Sequence, residues 1–191
     1  MKHLKDVIRM EYVEPIRSKQ HIDAIKIYLR SHNLRNCLLF ILGINSGLRI
    51  SDLLLLTIDD VKEKDRVILR EKKTGKIKDF PLSDTCKEMI KEYLANNSEN
   101  SGWLFKSKKG NQAITRIQAY RIINHAARIV GIREAIGTHT LRKTFGYWAY
   151  KSGVDITKIQ KLLNHSAPNI TLAYIGITKD ELDDVYINLN L

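Results

Sequence analysis

Two cysteines, Cys37 and Cys86, are all the chain has. They are too few for a disulfide framework or a four-thiolate zinc site. Cys37 lies in an apolar run and reads as a packed thiol in a reducing compartment. There is no glycine-rich phosphate loop, no HExxH pair, no CxxC and no GxGxxG. Nucleotide hydrolysis and zinc chemistry therefore have no basis, and neither metal nor cofactor is expected. Long hydrophobic runs are missing too. The longest, Cys37–Ile44, has eight residues, where a transmembrane helix needs roughly 20. Met1–Met10 is charged throughout and no apolar signal core follows it. These absences read as a cytoplasmic protein without membrane attachment.

Acidic residues are scarce in one place. Residues 106–143 hold nine Lys and Arg against Glu134 alone, which is +8 of the formal +11. From Gly176 onward, Lys179 faces four acids, a net −3. One face is expected to be strongly positive and to suit a polyanion, with a merely solvated basic surface as the plain alternative. With 191 residues, 43% of them hydrophobic, the chain is long enough for one ordinary domain with its own core.

Helical periodicity dominates. Ser18–Ser31 carries Ile22, Ile25 and Leu29 at helical spacing. Leu34–Asn45 is apolar nearly all round and reads as a buried central helix, ended by Ser46-Gly47. Ser51 is expected to cap a short helix to Leu56. The period then changes: Arg66–Arg70 and Lys76–Leu82 flank Thr74-Gly75 as a β-hairpin with a basic turn. Further helices are expected from Ser83 or Asp84 to Asn96, over Thr115–Val130, over Leu141–Lys151 capped by Thr138, and over Ile156–Leu163 capped by Asp155. Another starts at Pro168 and runs towards Tyr174. Thr178 to Glu181 reads as a capping box for a last helix over Lys179–Leu189. The fold class is mainly α (α+β): one helical domain with a small antiparallel β-hairpin.

Four segments carry polar residues beside turns and caps. Arg49, in Gly-Leu-Arg-Ile-Ser-Asp, follows a buried helix among apolar neighbours. A partly buried arginine needs an anion, and Asp52 is the local candidate. His139 and Arg142, in His-Thr-Leu-Arg, share a helix face at i, i+3, near free backbone N–H groups. His165, in Leu-Leu-Asn-His, precedes Tyr174 by nine residues. On one continuous helix they would face opposite ways, but Ser166-Ala167-Pro168 breaks it and lets them converge. Lys72, Lys73 and Lys76 crowd the hairpin tip. Each segment alone has a structural reading: an Arg–Asp pair, a capping turn, a packed aromatic, a solubilising turn.

Taken in order, Arg49, Lys73, His139, Arg142, His165 and Tyr174 resemble the tyrosine recombinases, the phage-integrase family, from about Glu14 to the C-terminus. The resemblance implies the integrase-like catalytic fold for DNA breaking and rejoining. It also implies site-specific recombination, by integration or excision, without metal or ATP. In it, Tyr174 attacks a backbone phosphate to give a 3′-phosphotyrosyl link and a free 5′-hydroxyl. Arg49 and Arg142 hold the non-bridging oxygens, and His165 adds a hydrogen bond. His139 orients the phosphate or takes the tyrosine proton, and Asp52 holds Arg49. Lys73 protonates the leaving oxygen, with Lys72 and Lys76 as rivals. Lys72, Lys76, Arg116, Arg121, Arg128 and Lys143 are expected on the DNA backbone.

The partner implied is double-stranded DNA. The chain is expected to be a monomer in solution and a tetramer on paired sites through its C-terminal helix, with residues 14–174 as core and 175–191 as docking tail. Family members usually carry an N-terminal DNA-gripping domain. It is expected to be absent here, in either a natural minimal enzyme or an excised catalytic domain. Two other readings share the residues: a catalytically silent DNA-binding regulator of the same fold, and a type IB topoisomerase-like relaxing enzyme.

Overall fold

The central helix of the structure, a computed structural model, is the one whose sequence is apolar on every side. That structure describes residues 13–177 together with 181, 183, 187 and 188. The elements run α1 (Lys19–His32), α2 (Leu34–Ser46), α3 (Ile50–Leu53), β1 (Arg66–Arg70), β2 (Ile77–Pro81), α4 (Asp84–Ala95), α5 (Arg116–Ile129), α6 (Thr138–Lys151), α7 (Ile156–Leu162) and α8 (Pro168–Ile175). Leu38, Leu39, Phe40 and Leu42 of α2 are buried, and α1, α4 and α6 pack around it. Each such side chain removed from water contributes about 1.5–3 kcal/mol before chain entropy is counted. Cys37 and Cys86 sit inside this core as free thiols. Burial pushes the Cys37 thiol up to about 11.

Most helix starts follow the capping residues. Ser18, Ser83, Thr115 and Asp155 each accept a backbone N–H of the first turn. Two starts differ from expectation. The short third helix begins at Ile50 with Arg49 at its N-cap, so Ser51 lies inside it. The sixth begins at Thr138, not Leu141: extended Gly137 is its N-cap and donates its N–H to Thr140 Oγ1 at 3.0 Å. His139 therefore sits in the first turn and Arg142 a turn deeper, inside the core. The capping box at Thr178 and most of the Lys179–Leu189 helix lie outside the described residues. Glu181 is described, and it ion-pairs with Lys151 at 3.1 Å and Arg17 at 3.6 Å of its own chain.

The hairpin pairs Val67 with Phe80 and Leu69 with Lys78. These four side chains face inward, while Ile68 and Ile77 are exposed. Its turn is closed by Glu71 N–H on Lys76 O (2.9 Å) and Gly75 N–H on Glu71 O (2.8 Å). Behind it, the segment Trp103–Phe105 returns beside α3: Leu104 N–H donates to Leu56 O, and Leu104 and Phe105 are fully buried.

Hydrophobic packing falls into two clusters. The larger runs from Ile16 through α1–α6. The smaller has Tyr147, Ile159, Leu163 and Ile175 at its centre and joins α6, α7 and α8. Gly146 makes the second possible, because a Cβ there would stand 2.6 Å from Ile175 Cγ2.

Candidate active site

The two arginines meet where the large core opens towards the hairpin. Gly47 ends α2 in the left-handed region (φ 61°), with Phe145 so close that a Cβ would stand 2.5 Å from its ring. This forced turn points the Gly47 carbonyl at Arg142, whose Nη1 donates to it. Arg142 Nη2 donates to Leu163 O at the end of α7. Arg142 is 2% exposed and Arg49 keeps 17% of its side chain open.

The carboxylate paired with Arg49 is Glu71, at 3.0 Å between Nη1 and Oε1. Asp52, expected to hold Arg49, instead accepts the backbone N–H of Lys72 at 2.9 Å and so anchors the start of the hairpin turn. Its position on a short helix facing the hairpin explains the exchange. Among the described residues, Asp52 Oδ2 has no hydrogen-bond partner. Glu71 also accepts from the Thr74 hydroxyl (2.6 Å) and from Asn164 Nδ2 (2.8 Å). Burial alone would raise the Glu71 carboxyl, but Thr74, the Arg49 charge and Asn164 outweigh it and hold the group below its ordinary range.

Lys78 is the second unforeseen member. It is 8% exposed, and its Nζ donates to Leu162 O at 2.7 Å, tying β2 to the end of α7. Burial first, then the positive Arg142 and Arg49, lower it to about 8. Arg49, Arg142 and Lys78 thus stand against Asp52 and Glu71, three buried or half-buried cations against two carboxylates. Among the described residues the cluster holds more cations than carboxylates, with buried Lys143 close by, and that favours a bound anion.

Tyr174 stands on the rim of this cluster. Its ring meets His165 edge-on at 4.8 Å between centroids, and its hydroxyl lies 3.5 Å from His139 Nδ1. His165 Nδ1 is 3.1 Å from Thr171 Oγ1. Burial and the charges of Arg142 and Arg49 push His165 down to about 4. His139 is also lowered, by desolvation and then by Arg116, Arg142, Lys143 and Arg49. Both shifts favour the neutral imidazole. Arg17, from the segment before α1, donates to Gly176 O at 2.8 Å and so clamps the end of α8.

The remaining basic residues divide. Lys72, Lys73 and Lys76 are exposed on the hairpin turn, and Arg116, Arg121 and Arg128 are exposed along α5. Of these, Arg116 acts electrostatically on His139, Arg121 faces the Tyr28–His125 groove, and Arg128 donates to Ile132 O beyond its own helix end. Lys143, expected on DNA, is 4% exposed, with its ammonium 5.2 Å from the Tyr174 ring centre. It follows Arg142 on the inward side of α6, where the open surface is out of reach. Among the described residues, no three His, Cys, Asp or Glu side chains could share a metal, and no helix is long and apolar enough to cross a membrane.

Residues 14–181 match the model of the phage integrase family. The chain belongs to that family. As a phage integrase-type tyrosine recombinase domain, it is 48% identical over 177 residues to the probable integrase/recombinase YoeC of Bacillus subtilis, covering 93% of this chain and 97% of YoeC. It is 34% identical over 160 residues to tyrosine recombinase XerA of Pyrococcus horikoshii, where 82% of this chain matches 55% of that one. The integrase domain thus spans nearly all of YoeC but about half of XerA.

Among solved structures, the fold matches XerA recombinase with a TM-score of 0.78 at 22% identity, over 93% of this chain and 65% of that one. It matches the catalytic domain of bacteriophage HP1 integrase with a TM-score of 0.61 at 19% identity, over 93% and 95%. XerH recombinase, solved bound to its difH substrate in a post-cleavage complex, gives 0.72 at 22% identity, over 88% and 51%.

Proposed function

We propose that this domain cuts and rejoins duplex DNA at specific sites through a 3′-phosphotyrosyl intermediate on Tyr174, with no metal or nucleotide. The observation that carries the reading is the Tyr174 hydroxyl 3.5 Å from His139 Nδ1, at the edge of a cluster in which Arg49, Arg142 and Lys78 stand against Asp52 and Glu71. A DNA phosphate supplies the missing negative charge. Arg49 and Arg142 bind its non-bridging oxygens and gain strength as charge collects there in the transition state. His139, which burial and the nearby cations push towards its neutral form, takes the phenol proton as Tyr174 attacks phosphorus. When the Thr171 hydroxyl donates to His165 Nδ1 (3.1 Å) rather than to Ala167 O (3.4 Å), the imidazole proton sits on Nε2 and donates a hydrogen bond to a phosphate oxygen.

The P–O5′ bond breaks as the Tyr–O–P bond forms, and the leaving 5′-alkoxide takes a proton from Lys73. A 5′-hydroxyl of another strand reverses the step and completes exchange. Lys143 serves Tyr174 rather than the DNA: its ammonium by the ring favours the phenolate. Lys72, Lys76, Arg116 and Arg121 hold the backbone. Exchange needs two cleaved duplexes, so pairing of sites in a tetramer through the C-terminal segment belongs to the same reading.

The test is a pool of nicked duplexes, random in sequence around the nick, mixed with the protein in EDTA and run on a denaturing gel. A slow protein–DNA species is expected. A chain that binds duplex but gives no such species is a silent DNA-binding protein. A species formed only with added magnesium also refutes the proposal.

A further inference from the structure

We propose that Glu71 is a positioning residue for Arg49, and that Asn164 ties the loop of His165 to the same carboxylate. The proposal rests on the recombinase reading above. Glu71 is 1% exposed and lies in the hairpin turn, with its backbone fixed by hydrogen bonds to Lys76 and Gly75. A buried carboxylate stays ionised only when donors surround it. One cation and two donors do so from three places: Arg49 pairs with it from the N-cap of α3, Thr74 donates from the hairpin beside Lys73, and Asn164 donates from the loop after α7. Arg49 and the loop of His165 are thus tied to one charge, although 93 residues separate Asn164 from Glu71.

Asn164 is an informative member. Its φ is +49°, a region where glycine is at ease and few other residues are. Asparagine pays that strain and returns a carboxamide that reaches Glu71 at 2.8 Å. A plain turn gives no reason for a side chain here. Glu71 touches neither DNA nor Tyr174 in this account: it sets the angle at which Arg49 meets the non-bridging oxygens.

The experiment compares Glu71→Gln, Asn164→Gly and the double variant in single-turnover cleavage of saturating nicked DNA, with duplex affinity measured alongside. Asn164→Gly keeps the φ and removes only the amide. Glu71→Gln is expected to slow cleavage roughly 10- to 100-fold and Asn164→Gly about three- to tenfold, as small misplacements do. DNA affinity stays within about twofold, and the double variant is no slower than Glu71→Gln, because one contact is lost only once. Asp79→Asn, on the outward side of the same hairpin, leaves the rate unchanged.

DNA with sulfur at the bridging 5′ position separates the routes. Lys73→Ala recovers on it, since a thiolate leaves without a proton, whereas Glu71→Gln stays slow because Arg49 acts elsewhere on the phosphate. Wild-type rates in both single variants, effects that multiply in the double, or sulfur rescue of Glu71→Gln would overturn the assignment. If the wild-type chain forms no adduct, the recombinase reading fails instead. Urea melts then read the tie directly: Glu71→Gln and Asn164→Gly are non-additive if one carboxylate holds both segments, and additive stability losses refute it.

Discussion

Arg142 is 2% exposed between α2 and α7, and its guanidinium is held by two carbonyls from distant parts of the chain. Tyr174 stands on α8, whose support is the smaller cluster of Tyr147, Ile159, Leu163 and Ile175. The arginine half is built into the large core, so on the proposed mechanism its positive charge is aimed before DNA arrives and needs no reorganisation in the transition state. The tyrosine half rests on this smaller cluster and on the clamp of Arg17 at Gly176. Segments with little buried apolar area open at low free energy. On the proposed reading, the domain separates a charge site built into the large core from a tyrosine carried by the smaller cluster.

The contrast breaks most severely at Arg142. Arg142→Ala leaves two buried carbonyls without donors and opens a cavity, and is expected to cost about 3–5 kcal/mol of stability. It also removes the covalent adduct. Urea melts and the gel read both effects. A variant that melts like wild type would mean the guanidinium is not built into the core.

Gly146→Ala attacks the other half. The added Cβ meets Ile175 at 2.6 Å, which is expected to cost about 1–3 kcal/mol. Cleavage falls about 100-fold because Tyr174 is displaced, while DNA affinity holds. Equal loss of binding would show that the two halves are not separable.

A smaller effect comes from pH. His165 falls from 6.5 unfolded to about 4 folded. The unfolded chain therefore binds more protons between these values, and stability is lost as pH drops through that window. Allowing for solvent screening of a partly open group, the loss is about 1–2 kcal/mol. His165→Gln should flatten the wild-type slope of melting free energy between pH 6.5 and 4. An unchanged slope would place the titration elsewhere. Glu71 is held low and loses its proton-dependent stability only at more acid pH, so the two are distinguishable.

The least effect is expected on α5. Arg116→Ala should reduce the slope of log affinity against log salt by about 1. Arg128→Ala should change it less, since that side chain is bound to Ile132 O. Salt titrations by fluorescence anisotropy read the difference, and equal slopes for the two variants would refute it.

Helices and caps were readable because capping and period are local. Arg49, His139, Arg142, His165 and Tyr174 can be singled out as candidates because each stands beside a turn in a recognisable order. Glu71 and Lys78 were not. Glu71 sits among Arg70, Lys72 and Lys73, where a charged turn looks solvated, and its burial depends on α3 and the loop after α7 folding over it. Lys78 carried a faint signal: Ile77 and Phe80, three apart, cannot face the same side of one strand. With Phe80 inward, Lys78 had to be inward too. Asp52 misled for the same reason. Proximity in sequence favoured a pair with Arg49, and the tertiary fold supplied Glu71.

The central claim is that Tyr174, presented at the rim of the arginine site, is the nucleophile. The direct measurement is mass spectrometry of the peptide carrying DNA after reaction with nicked duplex in EDTA, run beside Tyr174→Phe. The account expects the nucleotide on Tyr174 alone, and a variant that folds and binds DNA as wild type does but yields no adduct. A nucleotide on Tyr147 or Tyr150, or an adduct that persists in Tyr174→Phe, would contradict it.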